Sequence, residues 1–504
     1  MSSKAAIRQF EISFGVLDDL GGTNVAATQK LSRHLLGCQP ASALTFRLSM
    51  NHNRTDNRNA LNSVLSRHVL QNGFYLLLFC VCASPFALAQ RQAHVSRSSG
   101  RSTASTLRPA PRRALGTDES VTWQNSTVHD GFNPASPLAP PLELKWSRDL
   151  STSGVTSISY PLIAQAMVFV ATETSNNTNI FFALDENSGA TIWSADVSGM
   201  YGAGFANAAY DSGKVFVLNF DGLMKAFDAA SGNLLWSVNL PDQFFFTSPP
   251  TAANGIVFTG GSESGGTVYA VDETSGQVLW TMPVENGDSS SPAVVGGTVY
   301  VSYACPQAYA FDATNGQQLW NYPSACPNGC EGGGGTTPVV HTGLVYVRDS
   351  LCTNTNGVIL DASTGNMTGG FNSDTPPAFI GNLALYFQSG TVVGVDIPSG
   401  QQLWSFAGDG GLTSAPVIAN QTIYIGSSSG TLYGLNTSGQ QIWSAQVGAP
   451  IPASNEGSFS VITGLGSGDG LLIVPIDSIL VAYGQCNGRC TPAPRPRPTP
   501  APRH

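Results

Sequence analysis

One phrase, written again and again along the chain, limits what this protein can fold into. Val268 to Trp280 reads Val-Tyr-Ala-Val-Asp-Glu-Thr-Ser-Gly-Gln-Val-Leu-Trp, and it returns as Phe181 to Trp193, Met224 to Trp236, Ala308 to Trp320 and Val392 to Trp404. A copy one residue shorter runs from Thr431 to Trp443, and a weakened one from Gly357 to Thr368. A repeat of this kind dictates an array of similar supersecondary units.

Each phrase has the chemistry of a hairpin. Val-Tyr-Ala-Val alternates as a half-buried strand does, and Asp-x-x-Ser-Gly supplies a turn whose Gly takes positive φ at no steric cost. The residues up to Trp form the return strand. The regular Asp series (Asp185, Asp228, Asp272, Asp312, Asp361, Asp396) suggests catalytic acids or metal ligands at first sight, but each precedes its own turn, where a carboxylate caps backbone N–H groups. The Trp series reads as flat rings filling the space between neighbouring units.

Two further strands precede each hairpin, as in Ser290 to Val295 with Thr298 to Tyr303 and Thr413 to Ala419 with Thr422 to Gly426. Four strands per unit, at a spacing of about forty residues, is the requirement for propeller blades. Seven hairpins are present, and three more strands follow Trp443 without a closing Trp strand. The isolated Leu142-Glu143-Leu144-Lys145-Trp146 supplies it. The expectation is an all-β, eight-bladed β-propeller of four-stranded blades over residues 141–485, closed by an N-terminal strand that completes the last blade and removes both free edges.

The phrase Ala-x-Asp-x-x-(Ser/Thr)-Gly-x-x-x-Trp resembles the repeat of the pyrroloquinoline-quinone (PQQ) type of β-propeller, across roughly Leu142 to Gly484. That superfamily includes eight-bladed quinoprotein dehydrogenases and cofactor-free scaffolds, among them the propeller lipoprotein of the outer-membrane β-barrel assembly machinery. The resemblance therefore implies fold more firmly than activity. For a dehydrogenase it implies adjacent cysteines over the quinone, calcium held by Glu, Asn and Asp, and a Trp floor. None of these carries over residue by residue, since no two cysteines are adjacent and the Trp residues belong to the outer strands. The expectation is a non-catalytic scaffold with no catalytic, cofactor-binding or metal residue and no cofactor; a PQQ- and calcium-dependent dehydrogenase is the alternative.

The rest of the chain sets location and partners. Residues 1–49 form an uncertain N-terminal extension, with Met50 a second candidate start. Residues 50–89 read as a secretory signal peptide: Arg54, Arg58 and Arg67, an apolar Phe74 to Ala83, and Ala87-Leu88-Ala89 before Gln90. No transmembrane segment is expected after its removal. Residues 90–140, rich in Ser, Arg and Pro, read as a disordered linker. Residues 486–504 read as a small Cys ring and a Pro-rich basic tail. Between Leu142 and Gly484 there are 5 Lys and Arg against 25 Asp and Glu, a net of −20, which argues against a nucleic-acid partner. His341 is the only histidine of that span.

Six cysteines follow the signal: Cys305, Cys326, Cys330, Cys352, Cys486 and Cys490, an even number that points to disulfides in an exported chain. The first four gather on one propeller face with three possible pairings, and Cys486 with Cys490 forms a small ring. Candidate binding positions are Tyr201, Phe205 and the run Phe244, Phe245 and Phe246, which is an adhesive patch if exposed and a buried alternation at the blade edge otherwise, with Tyr303 nearby in register; Glu331 at the head of a glycine run; and Gly369, where the other hairpins place Trp. A monomeric propeller that holds a protein or a cell-envelope polymer, secreted or periplasmic, is the functional expectation.

Overall fold

The computed structural model describes residues 11–15, 26–30, 118–199, 207–262, 265–285, 290–303, 307–323, 336–348, 357–456 and 460–486. The chain divides into two units, Met1–Ala104 and Ser105–His504. The described part of the first is an antiparallel ribbon, Glu11–Gly15 paired with Ala26–Lys30. The expected signal peptide lies outside the described residues.

The second unit is an eight-bladed β-propeller. Blade 2 shows the plan: strands Asn207–Asp211, Lys214–Leu218, Leu223–Asp228 and Leu234–Asn239 pair antiparallel in chain order. Innermost strands of successive blades lie side by side, for instance Asn207–Asp211 with Thr251–Ala253 of blade 3. Hydrophobic clusters sit between blades, because each sheet is apolar on both faces and finds cover only against its neighbours. Closure is as expected from the stray strand. Leu142–Asp149 pairs antiparallel with Ile479–Gln485 as the outer strand of blade 8, with Trp146 opposite Ala482.

The repeated phrase makes the third and fourth strands of each blade. Asp228 Oδ1 accepts the Ser231 amide at 2.8 Å and its hydroxyl at 2.6 Å, and Asp272, Asp361 and Asp396 make the same Asx turn. These bonds hold the Asp228, Asp272 and Asp361 carboxyls below the usual range, as expected of turn caps. After each turn the pairing shifts by one residue, so that Trp stands opposite a small one: Trp193 against Ala183, Trp236 against Ala226, Trp280 against Ala270, Trp320 against Ala310 and Trp404 against Gly394.

The bulge aims each indole at the turn of the next blade. Trp193 Nε1 donates to Ala229 O at 2.9 Å, Trp236 Nε1 to Glu273 O at 2.9 Å, Trp280 Nε1 to Ala313 O at 3.1 Å and Trp320 Nε1 to Ala362 O at 2.9 Å. In every case the acceptor follows the turn Asp. The ring lies flat on the turn glycine: a Cβ on Gly365 would stand 2.6 Å from Trp320, and one on Gly276 2.7 Å from Trp236. Here glycine serves twice, for its positive φ and for its bare face.

Candidate functional site

Propeller blades leave the outward amides and carbonyls of their innermost strands facing the central axis, where they must find partners. Residues 118–133 supply them in one circuit. Ser120 exchanges amide and carbonyl with Ile163 of blade 1, at 2.9 and 2.8 Å. Val121 O then takes the Tyr210 amide of blade 2 at 2.8 Å, and the Thr122 hydroxyl donates to Pro250 O of blade 3 at 2.9 Å. Thr127 O takes the Val294 amide of blade 4, Val128 O that of Val340 in blade 5, Asp130 O that of Phe379 in blade 6, and Gly131 O that of Ile418 in blade 7. Phe132–Asn133 runs parallel to Val417–Ala419, and Asn133 Nδ2 reaches Ser467 O of blade 8 at 2.8 Å. The segment thus touches the blades in chain order and fills the axis. This corrects the expected linker: from Asp118 on, residues assigned to it on composition are core, with Trp123, His129 and Leu138 buried.

Tight coiling puts Gln124, Asn125 and His129 at φ of 57°, 66° and 59°, a costly conformation for residues with a Cβ. Inward hydrogen bonds hold it. His129 Nδ1 lies 2.7 Å from Trp123 O and Nε2 lies 3.0 Å from Pro292 O. Complete burial pushes the imidazole pKa below its ordinary value. Asn125, one of several sequence matches to a glycosylation acceptor, bonds Ser467 and Gly131 and is buried, so it is no surface sequon.

A buried ion pair joins this plug to the blades. Arg348 Nη2 donates to Glu456 Oε2, and their side chains are 6 % and 2 % exposed. Glu456 Oε1 also accepts Trp123 Nε1 at 3.2 Å and the Thr337 amide at 3.2 Å, while Arg348 Nη1 donates to Asp374 O at 3.0 Å. The acid therefore holds the plug, blade 5 and the connection into blade 8 together. Calcium with a quinone needs converging oxygen donors. Among the described residues no three His, Cys, Asp or Glu converge, and Glu456 is neutralised by Arg348. The oxygens of Glu456 are taken up by Arg348, Trp123 and Thr337.

The sequence-derived candidates scatter. Phe246 is 1 % exposed, packed on Tyr269 at 5.7 Å, and Phe245 is half-buried on Phe220 at 4.7 Å; only Phe244, 65 % exposed, faces solvent. Exposure falls steadily along the run until its third ring is in the core, so it is not a patch of three. Tyr303 is buried as well. Cys305, Cys326, Cys330, Cys352, Cys490, Glu331, Tyr201 and Phe205 lie outside the described residues. Cys486 is half-buried and disulfide-bonded. His341 stacks on Phe379 at 4.7 Å and contacts Gly381 O at 2.9 Å. Gly369 stands opposite Ile359 where other blades pair Trp with Ala or Gly, and Ile359 with Thr368 and Gly370 lines a cleft of about 450 Å³ between blades 5 and 6.

Trp123, Arg348 and Glu456 were not singled out from sequence. Signals existed: the Ser/Arg/Pro bias ends before Asp118, and Arg348 is one of the few basic residues in an acidic body.

A family model of PQQ-like repeats, described as outer membrane protein assembly factor BamB, matches residues 176–384, 264–463 and 363–489. Among curated proteins, the dehydrogenase subunit of the quinone-type alcohol dehydrogenase of Gluconobacter oxydans is 29 % identical over 54 % of this chain and 36 % of its own length. The matched stretch is thus about a third of that relative. The assembly factor BamB of Moranella endobia is 26 % identical over 55 % of this chain and 74 % of its own length. The crystal structure of the quinohemoprotein alcohol dehydrogenase of Comamonas testosteroni superposes with a TM-score of 0.57 at 14 % identity, over 74 % of this chain and 82 % of that one, a likeness of fold. With the overlapping family matches running over more than half of its length, the chain belongs to the BamB family of PQQ-like β-propellers.

Proposed function

We propose that the protein is an exported, non-catalytic scaffold of the cell envelope or cell exterior that binds a protein or an envelope polymer as a monomeric propeller. The observation that carries this reading is the filled axis. A peptide circuit hydrogen-bonded to the inner strands of all eight blades spends the central space on rigidity. The ion pair beside it is structural in its bonding, each charge being met by protein groups. A stiff ring that offers loops and seams to solvent suits recognition without chemistry. The acidic body favours partners other than nucleic acid. The family's description as an outer-membrane protein assembly factor supports a protein partner in the envelope.

Dehydrogenase relatives make the decisive test simple. Purified protein is given calcium and PQQ, and cofactor absorbance and dye-linked alcohol oxidation are followed. No stoichiometric absorbance and no turnover are expected; saturable cofactor binding with turnover sinks the scaffold reading. Crosslinking in the native envelope is expected to recover a protein or polymer.

A further inference from the structure

We infer that the seam between blades 5 and 6 is a docking slot for a tryptophan side chain presented by a partner protein. The inference deepens the scaffold reading and rests on it for the partner's being a protein. The chemistry of the occupant follows from the sister seams. Six turn glycines, Gly189, Gly232, Gly276, Gly316, Gly365 and Gly439, lie under an indole from the preceding blade, whereas a Cβ on Gly400 would meet nothing within 4 Å. The six indoles each donate Nε1–H to the carbonyl one residue past the turn Asp or Asn, from Glu186 through Thr437. In blade 6 that position is Ile397, and it lines the open cleft together with Gly400.

The slot is built, not merely eroded. Its walls carry the aromatic and aliphatic Tyr346, Ile359, Phe371 and Tyr386, with Asn372, Gln388 and Gln402 as polar groups among them. Tyr346 and Tyr386 are 1 % and 8 % exposed, yet neither hydroxyl bonds a described residue, so both offer polar contacts inside the cleft. Phe371 packs on Tyr346 and Tyr386 at 5.4 Å each, which holds the walls apart and the floor open. The volume of about 450 Å³ is ample for one indole.

The occupant must come from another molecule. The chain has eight tryptophans. Six fill their own seams, Trp443 packs on Tyr483 at 5.5 Å, and Trp123 is in the axial plug. None is left over, and a second copy has none to lend without unfolding its own seam. An exposed Trp in a flexible or extended part of a partner meets the requirement, with aromatic area that makes it an anchor.

The test uses the full chain labelled at isoleucine methyl groups and titrated with N-acetyl-tryptophanamide. Saturable shifts at Ile359 and Ile397, with half-saturation in roughly the millimolar range, are expected for a single anchor. N-acetyl-leucinamide should bind at least threefold more weakly. Filling the slot from within, by Gly369→Trp with Ile359→Ala, should abolish the shift at Ile397. Ile359→Trp alone should do the same from the opposite strand, so one folded variant suffices. No saturable shift in the wild type, or the same shift in a folded filled variant, overturns the slot. If the slot fails while native crosslinking still recovers a partner, the scaffold reading stands and the slot alone falls. If the amide binds the slot but envelope crosslinks survive filling unchanged, the slot is not where the partner docks and the inference is overturned.

Discussion

Two adjacent seams of the propeller carry opposite solutions to one packing problem. Between blades 4 and 5, Trp320 stands opposite Ala310, lies on Gly365 and donates to Ala362 O at 2.9 Å. Between blades 5 and 6, the large and small residues have traded strands: Ile359 faces Gly369, and no ring crosses to Gly400. The exchange does not conserve volume, because isoleucine opposite glycine is far smaller than tryptophan opposite alanine. Aromatic walls remain, so the second seam keeps a formed cavity. The comparison teaches that the indole is a removable part of a seam whose strands pair without it.

Trp320→Ala makes the first seam resemble the second and should have the largest effect. Lost burial and the cavity left behind cost about 3–5 kcal/mol, read by urea unfolding. A loss below about 1 kcal/mol would mean that the indoles contribute little to seam strength. The reverse change, Gly369→Trp with Ile359→Ala, should give a smaller gain of about 1–2 kcal/mol, since the new ring finds its glycine face and carbonyl in place. A thermal midpoint raised by a few degrees is expected; a lowered midpoint would show that the walls around Phe371 have closed to fit the void.

The same seams separate what could be read from the chain and what could not. Asp, Gly and Trp at fixed offsets encode a local turn and its packing partner, so blade number, hairpins and the Leu142–Asp149 closure were legible. Gly369 was legible as a broken rule, but the cleft depends on Ile359, Gly400 and Tyr386, which are distant in sequence. The plug escaped because its contacts have no period: Ser120, Val121 and Thr122 serve three blades in three successive residues, as no strand or helix pattern does. Exposure of the Phe244 to Phe246 run stayed open in the sequence because three equal aromatics carry no signal of which one turns inward.

The smallest effect concerns pH at a filled seam. Trp236 crosses from blade 2 to the Glu273 carbonyl of blade 3, and the Glu273 side chain is buried beside Asp211. Burial first, and then the Asp211 charge, raises its pKa from 4.5 to about 8. A group whose folded pKa is raised contributes stability that is fully present below its unfolded value and is lost as pH rises through the folded one. Stability from this site should therefore decline between pH 4.5 and about 8, where the carboxyl ionises in the unfolded chain but still holds its proton in the seam. Solvent screening limits the decline to on the order of 1 kcal/mol. Glu273→Gln keeps the shape and removes the titration, so the gap between variant and wild type should widen in the variant's favour across that window. Parallel stability curves would place the Glu273 carboxyl in water, outside the seam. The blade 5–6 seam has Ile397 at the equivalent position, so the double variant that fills it should keep the Glu273 decline and add no second one.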